Sequence, residues 1–433
     1  MDLSAPDTSP APRGESDRLR HPGHEATTGP KITAGIRPHG RPGSTAACST
    51  DGHALRPPLG ARMNLEQPRP RRLLTMSAAL SALALAAACS TNETPEPLER
   101  GSVDEEEATA APQSSHEPAT EPFTIAFGGD VMFEGILRPR LADPATALGP
   151  VSEHLSAADL AMVNLETAVT EGGVPVPGKE FVFRAPSSAL EALDAAGVDV
   201  ATVANNHGMD YGESGLLDTL DHGDGSPVAL VGAGRDIDEA YTPHVAEVNG
   251  QTVALFGATD VMDDHLIPEW TAGEGSPGLA STKGEMRERM LEAVSEAADE
   301  HDNVVVFLHW GLEGAHCPLP HAPSLADELF EAGAAAVVGG HAHVLSPGGF
   351  QGEGYAHYGL SNFVFYNFSG PTAETGVLTL TFHEGRVLES DWTPARIQEG
   401  VPIPYEGVDA ERAERTWTDM RVQCDLPLSD SPV

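Results

Sequence analysis

From Phe123 onward, short runs of apolar residues alternate with segments in which apolar residues recur every three or four positions. The short runs are typical of buried strands, and the helical spacing predicts helices at about 187–196, 213–221, 282–299 and 323–333. Apolar strands separated by amphipathic helices indicate a sheet that is covered by helices. The chain is therefore expected to contain an α/β domain.

The predicted strand segments follow one another as FTIAFGGDVMF, LAMVNLE, VDVATVANNH, PVALVGAG, HVAEVNGQTVALFGAT, NVVVFLHWG, AAAVVGGHAHV and YAHYGLSNFVF. A last segment, TGVLTLTFHEGRVLESDWTPARI, has two strand-like halves joined by Glu384 and Gly385. It predicts a hairpin that turns at these two residues.

The first part of the chain has a different composition. Residues 1–62 are rich in Pro, Gly, Arg, His and Ser without an apolar period, which predicts a disordered leader or a segment outside the mature protein. Residues 63–89 have a basic start, an apolar stretch of signal-peptide length and small residues before Cys89. This segment resembles a bacterial lipobox, so we expect an exported protein with a lipid anchor at Cys89 on the outer face of the cell membrane. A plain cleaved signal peptide or an uncleaved anchor is the alternative.

The rest of the chain divides into three predicted parts. Residues 90–121 form an acidic, polar tether, residues 122–400 form the folded domain, and residues 401–433 form a C-terminal extension. Cys317 and Cys424 remain in the mature protein, and they can pair in an oxidising compartment.

The charge of the chain limits its partners. The 433 residues include 65 Asp and Glu but 25 Lys and Arg, which gives a net charge of −40. Such a chain repels polyanions, which excludes nucleic acids as partners. An anionic polymer is repelled as well, unless local cations or metal ions attract it.

Several predicted strands end in a residue that can bind a metal ion. These residues are Asp130, Glu166, Asn206, His309, His341 and His343. Ligands at the carboxyl ends of neighbouring strands in an α/β sheet lie along one edge, where such folds bind their ligands. Carboxylates, an amide oxygen and imidazoles, without a thiolate, suit Mn, Fe or Zn. The series therefore predicts a site for divalent metal ions.

Each of these residues has a simpler explanation when it is taken alone. An Asp after a strand usually caps a turn or a helix, and an Asn-His pair usually lies in a loop. His309 beside Trp310 fits a packed core histidine, and His341 and His343 fit exposed loop positions. The ordered series of strand ends favours the metal site over these separate explanations.

The motifs GGDVM, NLETAVT, ANNHGMDYGESGLLDTL, VGAGRDIDEAYTP, HWGLEG, AAAVVGGHAHV and YGLSNFVF occur in this order over roughly residues 123–370. In this the chain resembles the CapA family of poly-γ-glutamate capsule synthesis proteins, within the calcineurin-like metallophosphoesterase superfamily. The resemblance implies a four-layer α/β/β/α sandwich of the metallo-dependent phosphatase type, with two metal ions at one edge.

The resemblance also implies how the metal ligands are divided. Asp130 and His343 hold the first ion, and Glu166 bridges the two ions. The second ion is held by Asn206, His309 and His341. The first motif of the superfamily usually reads Asp-x-His, but this chain has Met132 two residues after Asp130. A thioether is a poor ligand for a borderline ion, so the first site is expected to be the weaker one.

Two residues of the third motif are implied to act on protons. His207 corresponds to the acid or transition-state donor, and Asp210 to the carboxylate that orients it. The resemblance places Lys179 and Arg184 at the rim of the site, where they would meet an anionic substrate. A pair of solvated loop residues is the alternative. Trp310 and Glu313 are expected to shape the substrate pocket.

Three functions are compatible with these residues. The first is a metal-dependent hydrolase or transferase in capsule or poly-γ-glutamate biosynthesis, with capsule synthase or export proteins as partners. The second is a non-catalytic factor that binds or exports the polymer. The third is a general extracellular phosphoesterase, which Met132 and Glu166 disfavour. Asn206, His207 and Asp210 favour the first over the second, because binding alone needs no proton donor.

Overall fold

The structure, a computed structural model, describes residues 120–433. The predicted leader, the signal peptide with Cys89, and all but the last two residues of the predicted tether lie outside the described residues. Among residues 120–433, no helix combines the length and the apolar composition that crossing a membrane requires.

The strands, in chain order, are β1 (Phe123–Val131), β2 (Leu160–Leu165), β3 (Ala168–Val169), β4 (Arg184–Ala185), β5 (Val200–Thr202), β6 (Ala229–Val231), β7 (Ala233–Gly234), β8 (His244–Val248), β9 (Gln251–Thr259), β10 (Gly278–Leu279), β11 (Asn303–Trp310), β12 (Ala336–His341), β13 (Gly348–Gln351), β14 (Gly354–His357), β15 (Asn362–Val364), β16 (Glu374–His383), β17 (Arg386–Gln398) and β18 (Val401–Pro404).

The α-helices are α1 (Ser152–Leu155), α2 (Ser188–Ala195), α3 (Gly212–Asp224), α4 (Ile237–Ala240), α5 (Ile267–Trp270), α6 (Met286–Glu300), α7 (Ala322–Glu331) and α8 (Gly407–Gln423). Short 3-10 helices cover Gly135–Ala142, Pro144–Thr146, Gly149–Val151 and Gly370–Ala373. The four predicted helices correspond to α2, α3, α6 and α7.

Two large sheets organise the domain. The first has eight strands in the order β18-β17-β16-β1-β2-β5-β6, and β15 pairs with β1 as well. The second has six strands in the order β13-β14-β12-β11-β9-β8. In the first sheet β1, β2, β5 and β6 are parallel, and in the second β9, β11, β12 and β14 are parallel.

The core between the two sheets is built from alternate residues of their strands. Phe127 and Met162 of the first sheet lie in one cluster with Leu255 and Phe307 of the second, and all four are buried. Since successive side chains of a strand point to opposite faces, the residues between them face the other way. The continuous apolar runs of the sequence are therefore explained by burial on both faces.

Helices cover the two outer faces. On the first sheet, Val163 and Val203 pack in one cluster with Leu193 of α2 and Leu216 of α3. On the second sheet, a separate cluster joins alternate residues of β9 and β11 to the apolar faces of α6 and α7, and its members include Phe256, Val306, Val294 and Leu329. The order of layers is α/β/β/α, which confirms the expected architecture.

The hairpin predicted near the C-terminus is also confirmed. β16 and β17 are antiparallel neighbours, and Glu384 and Gly385 connect them with φ angles of 49° and 77°. Two consecutive residues with positive φ match the twist of the flanking strands, and Gly385 adopts this conformation without a steric cost.

The residues assigned to a C-terminal extension pack against the domain. β18 pairs with β17 in the first sheet, and Trp417 of α8 is buried and donates a hydrogen bond from Nε1 to the carbonyl oxygen of Ser346 at 3.1 Å. Cys424, at the end of α8, forms a disulfide with Cys317. Residues 401–433 are thus joined to the loop that follows β11.

Candidate metal centre

The strand ends named by the sequence come together at one edge of the two sheets. Asp130 lies in β1, and Glu166 directly follows its parallel neighbour β2. The backbone N–H of His341, the last residue of β12, donates to Oδ2 of Asp130 at 3.0 Å, which joins the second sheet to the first. Nε2 of His309 lies 2.7 Å from Oδ1 of Asn206 and makes the same connection between β11 and the loop after β5.

A glycine allows this close approach. A Cβ atom on Gly340 would lie 2.4 Å from Oδ1 of Asp130, well inside van der Waals contact. Only glycine therefore fits beside the carboxylate. The next residue, His341, has a φ of 90° and His343 has a φ of 55°. Non-glycine residues with positive φ cost about 1–3 kcal/mol each and cluster at functional sites. The GGHAH segment is shaped to bring its imidazoles to the site.

Glu166 lies at the centre of the site. Its side chain is 0% exposed, and neither carboxylate oxygen has a hydrogen-bond partner among the described residues. The Nε2 atoms of three histidines surround Oε1 at 3.6, 3.8 and 3.9 Å, and these are His309, His207 and His343. The distances are too long for hydrogen bonds. For His309 and His343, at 3.6 and 3.9 Å, they are close to the spacing of about 3–3.5 Å between two ligands of one metal ion.

A buried carboxylate without partners is unfavourable, because burial removes its water. In residues 120–433, ligating atoms come within 4.8 Å of one another in the groups Asp130–Glu166–His343, Glu166–His309–His341 and Glu313–His341–His343. Glu166 belongs to the first two groups, as a bridging ligand would. Nδ1 of His341 is also buried without a partner. The residues present therefore fit two divalent ions that share Glu166.

The electrostatics of the cluster show which protonation states a bound cation would change. Burial, helped by the negative charge of Asp130, raises the pKa of Glu166 well above its usual value. Burial lowers the pKa of His309 far below its usual value and that of His341 to about 3. Although burial opposes it, Glu166 and Asp130 raise the pKa of His343 to about 9. Neutral imidazoles and ionised carboxylates are the forms that bind metals, and a cation among them would favour both.

His207 lies beside this cluster and is absent from the three ligand groups. Its Nδ1 lies 2.6 Å from Oδ2 of Asp210, and the same oxygen accepts from the backbone N–H of Phe183 at 2.6 Å. The ring of Phe183 stacks on the imidazole with 4.0 Å between centroids. Because Asp210 holds Nδ1, the free nitrogen of His207 is Nε2, which is the atom that faces Glu166.

Three asparagines support the ligands, and the sequence reasoning missed them in this role. Asn164 places Nδ2 2.8 Å from Oδ1 of Asp130 and 3.1 Å from Nδ1 of His309. Asn205 donates to Oδ1 of Asn164 at 2.9 Å and accepts from the backbone N–H of His207 at 3.0 Å. The available signal was a polar residue within an apolar strand end, as in VNLE and ANNH.

Asn362 supports His343 in the same manner. Its Oδ1 accepts from Nδ1 of His343 at 2.8 Å, while its own Nδ2 donates to the carbonyl oxygens of Asn367 and Thr372 at 3.0 Å each. Metal-binding histidines usually donate their second ring N–H in this way, which fixes the ring and its tautomer. Nε2 of His343 is thereby left free toward Glu166.

Met132 takes no part in the site. Its side chain is fully buried in the core between the first sheet and its helices, and its sulfur accepts from the backbone N–H of Glu134 at 3.4 Å. Position 132 therefore supplies no ligand from the first motif.

Lys179 and Arg184, which were expected to bind substrate, lie in different surroundings. Lys179 is not a free rim residue: its side chain is 8% exposed, it is paired with Oδ1 of Asp210, and it bonds to the carbonyl oxygen of Asn206. Arg184 is half-buried and stacks on Tyr211 at 4.9 Å.

Trp310 and Glu313 differ in their exposure to solvent. Trp310 is 1% exposed, stacks on Tyr358 and donates from Nε1 to the carbonyl oxygen of that residue at 3.0 Å. Its indole thus belongs to the core beneath the second sheet's helices, where a substrate does not reach it. Glu313 is exposed and lies beside His341 and His343.

Comparison with known proteins places this arrangement in a family. The family model described as bacterial capsule synthesis protein PGA_cap matches residues 124–367, more than half of the chain. Capsule biosynthesis protein CapA of Bacillus anthracis is 30% identical over 308 residues, which cover 69% of this chain and 73% of that protein. PGA biosynthesis protein CapA of Bacillus subtilis (strain 168) is 30% identical over 289 residues, which cover 65% and 74%.

Among solved structures, a phosphatase of Mycoplasma pneumoniae is similar to this chain with a TM-score of 0.39 and 13% identity, over 68% of this chain and 98% of that one. The family match covers the strands and loops that carry the candidate metal centre. The chain belongs to the bacterial capsule synthesis protein PGA_cap family.

Proposed function

We propose that this protein is a metal-dependent hydrolase or transferase that acts on an anionic capsule polymer of the poly-γ-glutamate type at the cell surface. The observation that carries the proposal is the buried, unpartnered carboxylate of Glu166 among three imidazoles. Family membership supports the capsule context, since the two Bacillus relatives are named for capsule and PGA biosynthesis.

Two divalent ions fit the residues as follows. Asp130, Glu166 and His343 would hold the first ion, and Glu166 with Asn206, His309 and His341 would hold the second. Ions bound there would polarise a phosphoryl or carbonyl oxygen of the substrate and lower the pKa of an attacking water molecule. The carboxylates and imidazoles of the chain would hold the ions, and Asn164 and Asn362 orient the ligands.

His207 is the residue proposed to move a proton. Burial, opposed by the hydrogen bond that the ring donates to Asp210, lowers the pKa of His207 to about 4, so the ring is neutral at pH 7. Nδ1 carries the hydrogen that Asp210 accepts, and Nε2 is free to take a proton from the attacking group and pass it to the leaving group. Asp210 keeps the ring in this orientation and does not itself contact the reacting atoms.

The substrate would be attracted mainly by the metal ions. The chain is strongly acidic, and Lys179 beside the site is already paired with Asp210. An anionic polymer or a phosphoester therefore depends on positive charge from bound ions. This dependence favours a metal-loaded enzyme over a metal-free polymer-binding protein.

The proposed location rests on the sequence and on the disulfide. The apolar stretch of residues 73–88 before Cys89 is the basis for export and lipid anchoring. The pairing of Cys317 with Cys424 agrees with an oxidising compartment. Capsule synthase or export proteins are the proposed partners at that surface.

The experiment measures metal content and turnover in the purified full-length chain and in His341→Ala. The parent is expected to bind about two Mn or Zn ions, and the variant fewer, because His341 supplies one of the ligands. Poly-γ-glutamate and a chromogenic phosphodiester are then tested as substrates with and without a chelator. A parent that takes up no metal after exposure to Mn or Zn contradicts the proposal. Binding of the polymer without turnover supports the non-catalytic alternative.

A further inference from the structure

A carboxylate outside the implied ligand set lies against the metal centre. Glu313 belongs to the loop that follows β11, and one of its oxygens lies within 4.8 Å of a ring nitrogen of His341 and of His343. The resemblance places no metal ligand at this position, for which the sequence predicts a residue that shapes the substrate pocket.

The loop is fastened to the segment that carries the two histidines. The backbone N–H of Gly314 donates to the carbonyl oxygen of Ala342 at 2.8 Å. Ala342 is the residue between His341 and His343. Gly311 turns the chain with a φ of 109°, a conformation suited to glycine. Farther along, Nδ1 of His316 bonds to the carbonyl oxygen of Leu345 at 2.8 Å. These contacts hold the loop that carries Glu313 next to His341 and His343.

The first ion is short of protein ligands. Asp130, Glu166 and His343 are available to it, whereas the second ion has four residues. Met132 stands where a ligand is usual and turns its sulfur into the core. A carboxylate from the solvent side would supply the missing ligand, and hard or borderline ions favour carboxylate oxygen over thioether sulfur.

Charge also favours this role over contact with the substrate. A free carboxylate at the mouth of the site repels an anionic polymer or a phosphoester. Two divalent ions bring four positive charges, and Asp130 with Glu166 offsets two of them. Glu313 can offset a third, because the histidines and Asn206 are neutral ligands.

We propose that Glu313 is a ligand of the metal ion held by Asp130, Glu166 and His343, and that it takes the place of the ligand lost at Met132. This inference rests on the proposed function, because it requires that the centre binds metal. The role of Glu313 is then to bind the metal ion and not to line the substrate pocket.

The test titrates the full-length, chelator-treated protein with Mn²⁺ and counts free Mn²⁺ by electron paramagnetic resonance. The parent is compared with Glu313→Gln and with Glu353→Gln, which removes the same charge from an exposed turn between β13 and β14. We expect Glu313→Gln to weaken the binding of one Mn²⁺ at least about tenfold, and Glu353→Gln to bind as the parent does. Circular dichroism checks that both variants are folded.

The salt dependence of Mn²⁺ affinity distinguishes a metal ligand from a charge that only lies nearby. At 1 M salt the screening length is about 3 Å, so a carboxylate that only attracts the ion loses its effect. A tenfold difference that persists at 1 M salt, with a changed Co²⁺ absorption spectrum, supports ligation. Equal affinities of the two variants, or a difference that disappears at high salt, overturn the inference and leave the proposed function standing. A parent that binds no Mn²⁺ overturns both.

Discussion

Asp210 uses both of its carboxylate oxygens to hold His207 in place. Oδ2 lies 2.6 Å from Nδ1 of His207, and Oδ1 is paired with Lys179. The imidazole is 5% exposed and is further fixed by the stacked ring of Phe183. The position of Nε2 relative to Glu166 is thus determined by a buried network rather than by solvent-exposed side chains.

The first prediction concerns His207→Ala. Turnover is expected to fall by about 10²–10⁴-fold, because the group that transfers the proton is lost. Metal content is expected to stay near that of the parent, because His207 is absent from the ligand groups. Elemental analysis and steady-state kinetics on the same preparation check both statements.

His341→Ala is the matched variant, since it removes an imidazole of the same site that does belong to a ligand group. It is expected to lose metal and activity together. Unchanged turnover in His207→Ala would rule out the proposed proton transfer.

The second prediction concerns Lys179→Met. The substitution leaves the fully buried carboxylate of Asp210 without its cation, and breaking a buried pair costs about 3–5 kcal/mol. The free energy of unfolding, measured with urea, should fall by roughly that amount. Lys283→Met is the control, because Lys283 is only half-buried.

If Lys179 contacted the substrate, the result of Lys179→Met would be different. If Lys179 bound the polymer from the rim, its loss would raise KM for the anionic substrate and leave the free energy of unfolding almost unchanged. That outcome would return Lys179 to the role that the sequence had suggested.

The sequence predicted the strand ends and their side chains well, for a physical reason. Buried parallel strands are continuous apolar runs, so the polar residue that ends each run is visible, and the fold brings these ends to one edge. Asp130, His309 and His341 were found in this way. The helices α6 and α7 were visible because their apolar faces repeat with the helical period.

Contacts between distant loops were not visible in the sequence. Lys179 pairs with Asp210 across 31 residues of chain, and Trp310 is enclosed by Tyr358 from a different strand end. Neither contact follows from a local period, because both depend on how loops pack after the sheets have formed. Asn362 was missed for the same reason, since it reaches His343 through β15, which pairs with β1.

The third prediction concerns the disulfide. Cys317 and Cys424 are 107 residues apart, and their bond ties α8 to the loop after β11. Cys424→Ser is expected to lower the free energy of unfolding by about 2–5 kcal/mol, mainly because the unfolded chain gains freedom. Urea titrations under oxidising conditions measure this change.

The double variant Cys317→Ser/Cys424→Ser serves as the control, and it should match the single variant within about 0.5 kcal/mol. The parent in the presence of a reductant should match both. A parent whose stability does not respond to reductant would indicate that the bond does not form in the protein.

The fourth prediction concerns His357, which is fully buried and belongs to none of the three ligand groups. Its ring packs beside the rings of Trp392 and Trp417, with 5.6 Å between centroids in each case, and burial, helped by the charge of Arg421, lowers its pKa to about 3. In the unfolded chain the pKa of a histidine is about 6.5. Between these values the unfolded state binds a proton that the folded state does not, so stability falls as the pH falls.

From pH 7 to pH 5 this single group is expected to remove about 2 kcal/mol from the free energy of unfolding. His357→Asn cannot titrate, and its side-chain oxygen can replace Nδ1, which accepts from the backbone N–H of Gly359 at 3.3 Å. Over this pH range the free energy of unfolding of the variant should therefore fall by about 2 kcal/mol less than that of the parent. The buried histidines of the metal centre contribute to both proteins and cancel in the comparison. Equal losses in parent and variant would mean that His357 is protonated in the folded protein, which its full burial beside two indole rings opposes.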